Sequence, residues 1–304
     1  MVIERANAKI NLTLDVLYKR IDGYHEVDMV LQTIDLADIV SLEETAGSDI
    51  TVDATVGNIP LDSRNLAVVA AESFRRHSGL RKGVHIHIQK EIPVAAGLAG
   101  GSADAAAVLR GLNRLWGTGY ELGQLAQWGA EIGSDVPFCV VGGCAVARGR
   151  GECLTPVDHS LLPWVVLVHP AVYVSTFEVY AAWEAIGEQK TGEIIEKQRI
   201  GEMVGKPRVG ETGNEGMVRA LSAGNYAWVQ NAMHNDLAPV AYHLYPEVNG
   251  LRTRLEKTLQ VPVHMSGSGP TLFTLAPSQT VARRIYNTLR GFLKEVYLSR
   301  FISV

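Results

Sequence analysis

The sequence predicts an α+β fold in two domains, and three observations carry that reading. The chain has 304 residues, about twice the ~150 typical of one domain. Strand-like alternation and helix-like spacing both occur along it, mixed rather than strictly alternating. Between residues 149 and 163 the composition turns to Gly, charged residues and Pro. That shift separates a first unit, residues 1–158, from a second, residues 159–304.

Residues 8–16 alternate, with Ile10, Leu12, Leu14 and Val16 on one strand face and Lys9, Asn11, Thr13 and Asp15 on the other. Asp22-Gly23 is a turn, and residues 31–36 and 39–42 are further strand segments. Leu66, Val69, Ala70 and Phe74 give a helix over 65–76. Val84, Ile86 and Ile88 point inward from a strand over 83–89; His85 and His87, outward, read as a solvated face rather than a metal pair. A run of small residues, 93–102, leads into an amphipathic helix through Ala105, Val108, Leu109, Leu112, Leu115 and Trp116. A second helix runs over 122–132 and stops at Gly133; strands are expected at 138–141 and 145–147. In the second unit, 164–169 is an apolar strand and 176–186 a helix. Residues 187–216, charged and rich in Gly, read as a mobile excursion or weak helices. Strands and helices resume over 263–275 and 278–293, and 296–302 closes the chain.

Hydrophobic residues at 47 % and charged ones at 20 % exclude disorder, collagen and coiled coil. Twenty-eight basic against 32 acidic residues leave a formal charge of −4, which argues against a nucleic-acid partner. The longest nearly charge-free apolar run, 136–147, is broken by Pro137, Gly142 and Gly143. It falls short of the ~20 residues that span a bilayer, so no membrane role is expected. Met1-Val2-Ile3-Glu4-Arg5 does not resemble a signal peptide. Cys139, Cys144 and Cys153 lack zinc spacing and read as reduced, buried thiols of a cytoplasmic protein.

Pro93-Val94-Ala95-Ala96-Gly97-Leu98-Ala99-Gly100-Gly101-Ser102 is the strongest local signal. Small side chains let backbone N–H groups approach an anion, and Ser102 is placed to cap the helix whose positive end faces the same space. A flexible loop would use the same residues. Neither the Gly-Lys-Ser/Thr of a Walker loop nor a Gly-x-Gly-x-x-Gly order is present. Residues 201–207 imitate a Walker loop but are one residue short and carry Pro207 where a hydroxyl is needed. Asp104 favours the helix dipole yet repels phosphate, and a carboxylate pointing aside is expected. Asp135 sits on a turn, Lys9 and Asn11 share one strand face, and Ser266-Gly267-Ser268-Gly269-Pro270-Thr271 is a second Gly-rich turn. Read singly, each has an ordinary structural explanation.

Taken together the segments resemble the GHMP kinases, a superfamily that includes galactokinase and the homoserine and mevalonate kinases. Residues 93–107 resemble its phosphate loop, 266–271 its third motif and Ala8-Lys9-Ile10-Asn11-Leu12 its first. Lys19-Arg20-Ile21-Asp22-Gly23-Tyr24-His25-Glu26 and Gly133-Ser134-Asp135-Val136-Pro137-Phe138 narrow the likeness to a branch acting on a diphosphocytidyl alcohol of the non-mevalonate isoprenoid pathway. The resemblance implies a ribosomal-protein-S5-like ATP domain followed by a ferredoxin-like domain, with ATP and Mg²⁺ as cofactors and a small molecule as substrate. It implies Asp135 and Lys9 as the catalytic pair, residues 93–102 and Asn65 around ATP, and Asn11, Tyr24, His25, Ser175 and Thr176 around the substrate. It leaves the direct metal ligands and the oligomeric state open. Another small-molecule kinase of the superfamily, or a silent nucleotide-binding module, would share most of these segments.

Overall fold

The computed structural model describes residues 1–192 and 213–303. The first half is built on a sheet. Strands β1 (Val2–Lys19) and β2 (His25–Thr45) form a long antiparallel hairpin about the turn at Gly23, whose φ of 85° suits glycine. The short β3 (Ile50–Ala54) and β4 (Gly83–Gln89) extend the sheet beyond β2, giving the order β3-β4-β2-β1. The two segments expected at 31–36 and 39–42 are thus one continuous strand.

Between β3 and β4 runs α1 (Leu66–Ser78). Asn65 caps its first turn by accepting from the Ala67 N–H, and Gly79, at φ 72°, ends it. Then come α2 (Gly100–Leu115), α3 (Leu122–Ala130) and α4 (Val136–Val141). The strand expected at 138–141 is this last helix. A short apolar run has no period that separates a buried helix from a strand, and Pro137 in the first turn starts the helix. Strand β5 (Cys144–Gly149) pairs onto the other end of β2, and β6 (Cys153–Pro156) pairs onto β5.

The chain passes to a second sheet between Pro156 and Trp164. Strand β7 (Trp164–Val168) is followed by α5 (Thr176–Gly192), which extends past the expected helix; the rest of the Gly-rich excursion lies outside the described residues up to Gly213. Helices α6 (Gly213–Ser222) and α7 (Tyr226–Ala232) lead to β8 (His234–Asn235), which returns to pair parallel with β1 at Thr13 and Leu14. Helices α8 (Ala238–Leu244) and α9 (Pro246–Leu259), β9 (His264–Met265), β10 (Leu272–Ala276), α10 (Gln279–Arg290) and β11 (Val296–Arg300) follow. The second sheet, ordered β11-β7-β10-β9, is antiparallel throughout.

Strand β1 joins the two cores. Ile10 and Leu12 belong to the cluster under α1 and α2, whereas Leu14 and Val16 belong to the cluster that holds β7, β10 and α10. They do not share one uninterrupted face, because the register with β2 shifts between Asn11 and Thr13 and re-aims the strand. Lys9, Asn11 and Thr13, which alternation alone puts on the polar face, are buried. Cys144 is buried as expected, but Cys153, at the start of β6, is exposed. His85 and His87 share Asp53 on β3, and among the described residues no group of three or more His, Cys, Asp or Glu could hold a metal.

Candidate active site

Three left-handed residues shape the small-residue run: Ala95 (φ 54°), Gly97 (φ 74°) and Ala99 (φ 59°). Ala96 and Leu98 are buried and anchor the loop, while Val94 and Ala95 face outward beyond Pro93. Helix α2 starts at Gly100, so Ser102 lies inside its first turn rather than at the cap, and Ala99 precedes the helix with no side-chain cap. First-turn N–H groups have no carbonyl to bond within a helix, and the dipole adds positive potential there. With Gly101 exposed and no cap in the way, these amides can receive an anion.

The loop is braced from two sides. The Lys9 N–H donates to the Leu98 carbonyl at 3.1 Å, fastening β1 to it. From the second half, the Ser266 hydroxyl donates to the Gly97 carbonyl at 3.0 Å and the Thr271 N–H to the Ala96 carbonyl at 3.4 Å. The two Gly-rich turns therefore interlock. A Cβ on Gly97 would stand 2.4 Å from the Ser266 carbonyl oxygen, so close approach as well as positive φ requires glycine.

Beside the loop, Lys9 Nζ lies 3.6 Å from Asp135 Oδ2. The ammonium is nearly buried and also donates to Asn11 Oδ1 at 2.8 Å. Asp135 precedes α4, caps nothing, and keeps 29 % of its side chain exposed. Its carboxylate therefore combines an adjacent cation with access to solvent. Burial, reinforced by Asp135, pushes the Cys139 thiol up to about 12, so the sulfur stays neutral beside this pair.

Past the hairpin turn, Tyr24 is half exposed under the Arg150 guanidinium, 4.8 Å from its ring centre. His25 is buried against Tyr180, with ring centroids 4.7 Å apart, and meets the edge of Trp183. Its Nε2 lies 2.8 Å from Glu184 Oε1 but out of line for a hydrogen bond. Lys19 holds the other Glu184 oxygen at 2.8 Å and, with His25, keeps that carboxyl below its usual range. Thr176, at the start of α5, shares a 2.7 Å hydrogen bond with the Ser268 hydroxyl. Ser175 donates its N–H to Tyr245 and accepts from the Glu178 N–H.

Lys9, Asn11 and Asp135 thus gather beside residues 93–102, and Thr176 joins the turn that braces them. Asn65 differs: its amide accepts from Ala67 and donates to the Pro60 carbonyl, so both ends serve the helix start. Sequence reasoning missed Tyr180 and Glu184, although their four-residue spacing on a helix was a legible signal for one face. It also missed Lys90, just ahead of the loop, and Asp38, far from it in sequence, which meet beneath it. The Walker-like decoy at 201–207 lies outside the described residues.

Residues 65–143 match the family model for the N-terminal domain of GHMP kinases, and residues 217–295 match the model for their C-terminal part. The chain is 46 % identical over 302 residues to a 4-diphosphocytidyl-2-C-methyl-D-erythritol kinase of Bacillus licheniformis, covering 99 % of this chain and 97 % of that one. It is 44 % identical to the kinase of the same name from Bacillus subtilis, with the same coverage. A crystal structure of 4-(cytidine 5'-diphospho)-2C-methyl-D-erythritol kinase superposes with a TM-score of 0.78 at 31 % identity, covering 99 % of this chain and all of that one. Mevalonate kinase from L. major, at 14 % identity and a TM-score of 0.76 over 100 % of this chain and 96 % of that one, shares the fold. Near-complete coverage at this identity, on the two-domain α+β architecture described above, makes the chain a member of the 4-diphosphocytidyl-2-C-methyl-D-erythritol kinase family within the GHMP kinases.

Proposed function

We propose that the protein transfers the γ-phosphoryl group of ATP to the 2-hydroxyl of 4-diphosphocytidyl-2-C-methyl-D-erythritol, in non-mevalonate isoprenoid precursor synthesis. The observation that carries the reading is the Lys9–Asp135 pair, 3.6 Å apart beside a loop with unpaired helix-start amides. Phosphoryl transfer asks a protein chiefly for positioning and charge stabilisation. The backbone N–H groups of Gly97 to Ser102 hold the phosphate chain, within the bend formed by residues 93–96. Asp135 accepts the proton of the attacking hydroxyl, and the adjacent Lys9 ammonium offsets charge developing on the transferred group. Asn11, itself held by Lys9, lies where the acceptor's polar groups approach. Asn65 supports the nucleotide pocket by fixing the start of α1.

Mg²⁺, when bound with the nucleotide, would supply charge neutralisation to its phosphates. The donor set fits a cation carried in by the nucleotide, since Asp135 offers a partly exposed carboxylate but no cluster of protein ligands accompanies it among the described residues. Tyr24 offers a π face and His25 a ring edge to the cytosine, with Ser175 and Thr176 meeting the substrate from the second half.

The test is an assay of the purified chain with MgATP and the diphosphocytidyl alcohol, set against mevalonate and homoserine. ADP and a phosphorylated product with the first acceptor alone support the proposal. Equal turnover of the others, or none of any, refutes it.

A further inference from the structure

Beneath the first turn of α2, three charged side chains are packed out of water. The Lys90 ammonium, just past β4, lies 2.5 Å from Asp38 Oδ2 and 2.9 Å from Asp104 Oδ2. None of the three side chains is more than 5 % exposed. Asp38, on β2, is well supplied, because its Oδ1 also accepts from the N–H groups of Glu91 and Ile92 at 2.6 and 2.8 Å. Asp104, on α2, accepts from Lys90 alone among the described donors, and its Oδ1 is buried without a partner.

Two carboxylates against one ammonium leave a negative excess directly under the proposed phosphate site. A Cβ on Gly100 would come within 3.3 Å of Lys90 Nζ, so the cluster touches the start of α2. Among the described residues no other charge corrects the imbalance. On β1, Lys9 is turned to Asp135, and Glu4 to Arg110 and Arg114. From α4 comes the neutral Cys139 thiol, while α1 and α3 bury only uncharged side chains.

The geometry points to Asp104 as a positioning residue that takes up a proton from solvent when the nucleotide's phosphates settle on the loop. The carboxylate becomes a neutral acid, Lys90 and Asp38 remain as a balanced pair, and the dipole at the start of α2 faces the phosphates unopposed. The acid falls to Asp104 because it has fewer donors than Asp38. Burial first, and the neighbouring Asp38, push Asp104 up to about 7 against the pull of Lys90. A polyanion nearby shifts it further toward the neutral form. The sign follows by linkage. Above pH 7 nucleotide binding must bring a proton with it, so affinity falls as pH rises, by up to about tenfold per unit. Below pH 7 the acid is already formed and the dependence fades. The inference rests on residues 93–102 being the phosphate site.

Calorimetric titration of the full chain with MgADP and a non-hydrolysable MgATP analogue, at pH 8 in buffers of different ionisation enthalpy, counts the protons taken up. The wild type is expected to take up more than Asp104→Asn, by at most about one proton. Protonation of the nucleotide itself is common to both and cancels. The ratio of wild-type to variant KM for ATP rises with pH, while the kcat ratio stays flat. Should the variant not fold, the infrared difference spectrum of the wild type on nucleotide binding is read instead, and a new protonated-carboxyl band is expected. Equal proton uptake in the two proteins, or no such band, overturns the proposal. Gly101→Val separates this from failure of the site itself, since a Cβ there meets only Leu66 at 3.5 Å. Undiminished nucleotide binding by that variant refutes the loop assignment, and with it the inference. Lost binding there, with no proton difference at Asp104, overturns the proton uptake alone.

Discussion

Ser266, from the second half of the chain, donates its hydroxyl to the carbonyl of Gly97 in the first, at 3.0 Å. The residue that bends the proposed phosphate loop is thus held by the turn that precedes β10, and a change at either is felt at both.

Gly97→Ala tests this directly. The new Cβ would stand 2.4 Å from the Ser266 carbonyl oxygen and 2.9 Å from that of Gly269, on a residue at φ 74°. Left-handed strain alone costs roughly 1–3 kcal/mol, and a backbone clash adds to it. Thermal unfolding is expected to shift downward and the KM for ATP to rise. Gly101→Ala, with a Cβ at ordinary contact distance from Leu66, is expected to unfold like the wild type.

Asp135→Ala is expected to lower kcat by about 10²–10⁴-fold, the usual contribution of general-base assistance, with MgATP affinity little changed. Lys9→Met should cost about 10²–10³-fold, the scale seen when one stabilising group is lost. Single-turnover kinetics with equilibrium nucleotide binding check both. Because the two groups touch, the double variant should lose less than the product of the single effects.

Glu184→Gln removes the carboxylate beside His25 Nε2 and releases Lys19. If His25 reads the base edge, kcat/KM for the cytidine substrate falls and the preference over its uridine analogue narrows, while kcat at saturation holds. Parallel losses on both substrates would instead mark Glu184 as a structural brace.

His264 gives a pH dependence of stability. Burial pushes its ring down from 6.5 to about 4, and its Nε2 is buried without a partner. The unfolded chain therefore binds a proton between pH 6.5 and 4 that the folded chain excludes, and stability is lost as pH falls through that window. Denaturant unfolding of wild type and His264→Leu across the window should show a steeper acid decline in the wild type.

The legible part of the fold was what periodicity reports. The hairpin turn at Gly23, the helix after Asn65 and the strand from Gly83 follow from spacing, capping and turn chemistry. Residues 138–141 were misread because a short apolar run fits a strand or a buried helix equally well. The site was legible as separate motifs, and the resemblance joined them. The burial of Lys9 was not, since alternation marks a polar face without saying that the loop at Leu98 and the turn at Asp135 will close against it. Nor was the Lys90–Asp38–Asp104 cluster, which exists only once β2, β4 and α2 meet.

The two-residue β8 comes from beyond the second sheet's first strand, yet completes the edge of the first sheet beside β1. The amino-terminal half made alone would present β1 as a raw border, inviting self-association. Chimeras that exchange whole halves between relatives must carry this short piece with the sheet it finishes, and a split reporter cut near residue 158 should need both fragments together to stay in solution.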